Sequence, residues 1–128
     1  MSKAVWALQI IVALAFLAAG TMKSITPKEQ LVANGMGWAQ DFSSTLVKLI
    51  AAAEVAGAIG LIVPAATGIA PILTPIAGAG LALLMAGAMA THLQRGEPPF
   101  PPLVLGLLAA AAAILTLRLV RRRRLLTV

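Results

Sequence analysis

The sequence predicts an all-α integral membrane protein, a four-helix transmembrane bundle with a short interfacial helix in its first loop. Three observations predict it. Of 128 residues, 60% are hydrophobic and 11% charged, with a mean hydropathy of +0.97, whereas a soluble domain carries about 25% charged residues over its surface. Apolar segments long enough to cross a bilayer recur four times. The basic residues gather at the ends of those segments, where membrane proteins place them.

The first apolar run, residues 4–22, is broken only by Gln9, Gly20 and Thr21. At 1.5 Å per residue it covers about 29 Å, the thickness of the hydrocarbon core. The rival reading is a cleaved signal peptide, with Lys3 as its charged start and Leu17-Ala18-Ala19 as the small-residue site. The spans that follow favour a retained helix. In the long first loop, Thr26-Pro27-Lys28-Glu29 reads as an N-cap, a proline in the first helical position and a capping-box glutamate, and Asn34-Gly35 reads as a stop. This predicts a short helix over residues 27–33. Trp38 is expected to anchor that loop at one membrane surface, and Trp6 to anchor the opposite end of the first span. The second span is expected over about 44–63, with Pro64 and Gly68 bracketing a turn, and the third over about 68–93, with Pro71 and Pro75 near its start. Gly96-Glu97-Pro98-Pro99-Phe100-Pro101-Pro102 cannot be helical throughout, so the fourth span is placed over about 101–120. Residues 121–128 form a basic tail, and the whole chain reads as one transmembrane domain.

Ten Lys and Arg against four Asp and Glu give a formal net charge of +6. Four spans put both termini on one side. That side carries Lys3, Arg118, Arg121, Arg122, Arg123 and Arg124 with no Asp or Glu; the other carries Lys23, Lys28, Lys48 and Arg95 with Glu29, Asp41 and Glu97. The positive-inside rule then predicts a multi-pass cell-membrane protein with both termini cytoplasmic. The arginine run ends an apolar segment and has no recognition motif beside it, so membrane lipid headgroups are its expected partner and nucleic acid is not.

Chemistry has little to work with. The absence of cysteine excludes a disulfide scaffold, a thiol redox centre, a zinc finger and an iron–sulfur site, and one histidine leaves little for any metal. No phosphate loop or Ser-His-Asp set is present. Glu54 stands out, with no other charge for five residues before it or forty after it. If the second span starts near Ser44, Glu54 lies about 15 Å deep, where an acid must be protonated, paired or facing a wet cavity. It is either a functional group or a hydrogen-bonding strut between helices. Ala51, Gly57, Ala58 and Leu61 share its face and aim it into the bundle. Lys23, Lys48 and His92 are expected at the loop ends of their helices, more than a side-chain length above Glu54, so a direct Lys23–Glu54 pair would need a later start to the second span or a bridging water. Ala88, His92 and Arg95 fall on one helical face, which predicts a polar rim, and His92 is placed to move protons there. Gln9 is expected to hydrogen-bond between helices. Small residues in the second and third spans, among them Ala53, Gly57, Gly60, Gly78 and Gly80, predict close helix packing, or room for a flat ligand.

Gly20-Thr21-Met22-Lys23 closes the first span. Glu54-Val55-Ala56-Gly57-Ala58-Ile59-Gly60-Leu61-Ile62-Val63-Pro64 lies in the second, and Met85-Ala86-Gly87-Ala88-Met89-Ala90-Thr91-His92-Leu93 ends the third. In this order, across residues 5–118, the chain resembles the DoxX-like family of small membrane proteins. The resemblance implies a four-helix transmembrane bundle. Some relatives look like membrane subunits of oxidoreductases that deliver electrons to quinone, and a more distant set is similar to membrane chaperones. Lys23, Glu54 and His92 match the family's polar positions, with no catalytic role assigned by the resemblance. The arginine-rich tail lies outside it.

The leading expectation is a binding and accessory role. The bundle would hold a lipid-soluble molecule, a quinone or a lipid, near Glu54, with Gly57, His92, Lys23 and Trp38 as the other binding candidates. It would act beside a membrane or envelope oxidoreductase in redox or stress chemistry, as a single copy or a homo-oligomer. Without flavin motif, haem ligand pair or cysteine the chain is not a complete redox enzyme. Two alternatives stay open: an intramembrane isomerase or cyclase with Glu54 as acid/base and His92 or Lys23 as relay, and a scaffold or chaperone with no small ligand.

Overall fold

In the computed structural model, which describes residues 1–127, the chain is helical almost throughout. Its elements are α1 (Lys3–Ile25), α2 (Lys28–Ala33), a 3-10 helix (Gly37–Asp41), α3 (Ser44–Thr67), α4 (Leu73–Gln94) and α5 (Phe100–Thr127). Helices α1, α3, α4 and α5 are each long and apolar enough to cross a membrane. They close a ring in which α1 packs on α3, α3 on α4, α4 on α5 and α5 back on α1. Both termini lie at one end of the bundle, the terminal end; the first loop and the α4–α5 connection lie at the other, the loop end.

The helix boundaries follow from local chemistry. The Ser2 hydroxyl accepts from Val5 N–H at 3.2 Å and the Ser43 hydroxyl from Leu46 N–H at 3.1 Å, capping α1 and α3. Gly68, at φ +72°, closes α3 in the left-handed conformation that suits glycine. Helix α1 runs three residues past the expected end at Met22, because the Lys48 ammonium donates to the carbonyls of Lys23, Ser24 and Thr26 at 2.6, 3.1 and 2.7 Å. These acceptors have no partner inside a helix end, and a cation there also meets the negative end of the helix dipole. Thr26 therefore closes α1 through its own N–H to Met22 O, and the N-cap of α2 falls to Pro27, one residue later than the spacing suggested.

Pro64 lies inside α3 and not at the turn that the sequence predicts there. A proline in mid-helix leaves the carbonyl four residues back without its donor. Here that carbonyl belongs to Gly60, and the Thr74 hydroxyl of α4 donates to it at 3.1 Å. At the next residue, buried Gln9 donates from Nε2 to Leu61 O at 2.8 Å, the expected bond between helices. Helices α4 and α1 thus each donate one hydrogen bond to a carbonyl near the proline, and the helix continues to Thr67. Gly68 and the turn after it push the start of α4 to Leu73, with Pro75 in its first turn. Helix α5 also outruns its expectation: it continues past Val120 through all four arginines to Thr127. Arginine is a good helix former and favours the C-terminal turn.

Val12, Phe16, Leu61, Leu81, Met85, Ala109 and Ala112 fill the bundle axis. A smaller cluster of Leu31, Ala39 and Val47, flanked by Met36, Trp38 and Phe42, folds the first loop onto the start of α3. Leu14, Leu83 and Leu107 are more than half exposed, as side chains facing lipid are.

Candidate functional site

The most buried charge has a partner. Lys23 Nζ lies 2.6 Å from Glu54 Oε1, with the carboxylate side chain 1% and the lysine 12% exposed. The sequence predicts that this contact needs a later start to α3 or a bridging water, yet α3 begins at Ser44 and the two side chains meet directly. The reason is the relative level of the two helices. Gly20 brings α1 so close to α3 that a Cβ on it would stand 2.9 Å from Ala51 O and 3.1 Å from Glu54 Cβ. Glu54 is therefore level with Gly20, about 4.5 Å below Lys23, while the first turn of α3 rises beyond the end of α1. Side chains also lean toward the N-terminus of their own helix. In this antiparallel pair, that leans Lys23 and Glu54 toward each other. Trp38 caps the pair, its ring centroid 5.5 Å from the Lys23 ammonium and its edge packed on Phe42 at 6.0 Å. The acid thus has a counter-charge, one of the three ways the sequence allowed it to be accommodated.

His92 does not join this pair. It belongs to the predicted polar rim at the loop end, where His92 Nδ1 lies 3.1 Å from Glu97 Oε1. Arg95 ties that rim to the first loop, reaching Glu97 from Nε at 3.2 Å and Asp41 from a terminal guanidinium nitrogen at 2.7 Å. The hydrogen bond that Arg95 donates to Asp41, with the charges of Asp41 and Glu97, raises the Arg95 pKa above its ordinary value. Gly37 gives the guanidinium its room, since a Cβ there would come 2.8 Å from it. Among the described residues no group of three or more His, Cys, Asp or Glu could hold a metal.

The space for a ligand lies elsewhere. A groove of about 750 Å³ runs along the contact of α3 and α4 and opens sideways onto the lipid-facing surface; Ala53, Ala56, Gly60, Ile76, Gly80 and Leu83 are among its lining residues. No lining side chain is polar. Gly57 is part of its floor, where the helices touch: a Cβ on Gly57 would come 2.5 Å from Leu81 Cδ2, and one on Gly60 2.8 Å from Ala77 Cβ. At Gly80 a Cβ would meet nothing within 4 Å. Glu54 follows Ala53 on α3, turned about 100° around the helix, and contacts α1 instead of the groove.

Of the predicted site residues, the structure brings together Lys23, Glu54 and Trp38. It sets His92 in a separate network and Gly57 at the floor of the groove. Sequence reading missed the Asp41–Arg95 link, which joins positions 54 residues apart. It also missed the groove as a shape, although small residues on both helices had marked its walls.

A family model described as the DoxX-like family matches residues 7–114. No curated protein and no solved structure matches the chain.

Proposed function

The chain belongs to the DoxX-like family, and from that premise we propose that this multi-pass membrane protein holds a lipid-soluble molecule in the groove between α3 and α4. It serves there as a non-catalytic accessory component of redox or stress chemistry at the cell membrane, with both termini cytoplasmic. The observation that carries the reading is the groove itself: about 750 Å³, lined only by apolar residues and open to the lipid. Small-molecule sites are about 300–1,000 Å³ and mostly apolar. The isomerase or cyclase alternative gains nothing from this geometry, because the groove offers no acid or base and Glu54 is engaged by Lys23. Solvent extraction of the purified protein, with absorbance spectra and mass spectrometry of the extract, tests the proposal. We expect an apolar molecule in near-stoichiometric amount and much less of it in Gly80→Phe, which puts a bulky side chain at a groove-lining position where a Cβ meets nothing within 4 Å. An extract with no such molecule, from a protein that also fails to take up added quinone or lipid, would overturn it.

A further inference from the structure

We infer that the molecule in the α3–α4 groove is an anionic phospholipid from the leaflet at the terminal end, its acyl chain in the groove and its phosphate on the arginines that end α5. The inference rests on the groove reading above and narrows it to one chemical class.

The dimensions come first. On α3 the groove runs from Ala53 to Pro64, and on α4 from Leu73 to Leu84. Each is a stretch of eleven steps, about 16 Å of helix. That is half of the roughly 30 Å hydrocarbon core, the depth of one leaflet. One end of the groove lies near the middle of the bundle, at Ala53 and Leu84. The other reaches the turn between α3 and α4, at the terminal end, where a headgroup belongs.

The polarity comes second. A quinone head within the groove would need a donor for its carbonyl oxygens, and no lining side chain is polar. The groove therefore suits a hydrocarbon chain along its whole length, with any polar head outside it.

The charge comes third. Arg123 lines a small recess together with Ala65, Pro71 and Thr74; Ala65 and Thr74 are the chain neighbours of Pro64 and Leu73, which end the groove. Arg121 and Arg122 are exposed beside it. Because α5 stays helical through Thr127, these side chains stand on a fixed stem at the membrane surface. Lys3 and Arg118 lie toward the same end, whereas Glu29, Asp41 and Glu97 lie at the loop end and Glu54 is buried inside the bundle against Lys23. A phosphate at this surface meets several cations and no carboxylate side chain, and arginine binds phosphate through paired N–H donors.

The test is native mass spectrometry of the full chain in detergent, offered equal amounts of phosphatidylglycerol and phosphatidylcholine with the same acyl chains, with inorganic phosphate alone as a third arm. Wild-type protein should retain phosphatidylglycerol in roughly tenfold or greater preference, since each arginine near an anionic headgroup favours it several-fold. The triple variant Arg121→Gln, Arg122→Gln, Arg123→Gln should lose the preference yet still retain lipid, and Gly80→Phe should lower retention of both lipids. Inorganic phosphate alone should not bind measurably. Equal retention of the two lipids, with Gly80→Phe still lowering both, would overturn this inference and leave the groove reading standing. A preference that survives the triple variant, or inorganic phosphate binding that Gly80→Phe leaves unchanged, would also overturn it. Retention that Gly80→Phe does not alter would remove the groove reading itself.

Discussion

Removing either partner of the Lys23–Glu54 pair should cost more than removing both. At 2.6 Å, with the carboxylate 1% and the ammonium 12% exposed, each charge depends on the other for compensation. Breaking a buried pair costs about 3–5 kcal/mol because an uncompensated charge stays behind, whereas replacing both members with apolar groups is often neutral. Lys23→Met strands the deeper charge and should lose about 3–5 kcal/mol. Glu54→Gln should lose less. Its amide oxygen can still accept from Lys23, and the lysine keeps the Trp38 face and a long stem that reaches toward the loop end. The double variant Lys23→Met, Glu54→Leu should be more stable than Lys23→Met alone. Denaturant unfolding in mild detergent would measure this, followed by Trp38 fluorescence in a Trp6→Phe background, since Trp6 and Trp38 are the only tryptophans. If the double variant loses the sum of the separate Lys23→Met and Glu54→Leu losses, the residues act independently and the reasoning fails.

Four further outcomes follow from the same geometry. Gly20→Ala and Gly57→Ala should each lose about 1–3 kcal/mol by overpacking, and Gly20→Ala should be the harder to relieve because backbone Ala51 O blocks its methyl; Gly80→Ala, whose methyl meets nothing within 4 Å, should melt no lower than wild type, since alanine is favoured over glycine inside a helix by about 0.5–1 kcal/mol. Thr74→Val should cost about 1 kcal/mol in the native protein but much less beside Pro64→Ala, because alanine returns the N–H that Gly60 O lacks; thermal melts of the four proteins complete the cycle. Glu54→Gln should leave the molecule extracted from the groove unchanged in amount, because Glu54 faces α1; a loss confined to that variant would put the carboxylate in the binding site. Reporter fusions should find both termini cytoplasmic, and replacing the four arginines 121–124 with Gln should produce a mixed orientation, whereas an external C-terminus in the native chain would reverse the charge argument.

The four spans were legible because a bilayer imposes one requirement, about 20 apolar residues with every backbone group bonded internally. Their ends were less legible. Pro64 looked like a stop because the sequence does not show that Thr74, ten residues on, supplies the bond Gly60 O needs. Lys48 extends α1 from 22 or more residues away, through three carbonyls that no local pattern marks. Glu54 was visible as a lone acid, and Gln9 as a bond between helices. The Lys23 contact was missed because the expectation set the end of α1 level with the start of α3, and Gly20 shifts that register. The groove stayed hidden for a statistical reason: alanine and glycine are so common here that the few lining an open surface resemble the many that pack.

The claim on which the functional account turns is that an apolar molecule occupies the α3–α4 groove in preference to the rest of the lipid-facing surface. Photolabelling with a phospholipid carrying a diazirine in its acyl chain, read out residue by residue by peptide mass spectrometry, measures this most directly. Leu14 on α1 and Leu107 on α5 are about as exposed as the groove rim and serve as internal controls. The account predicts labelling concentrated at Ala53, Ala56, Ile76 and Leu83 and sharply reduced there in Gly80→Phe. Labelling spread evenly over α1, α3, α4 and α5, unchanged by Gly80→Phe, would contradict it.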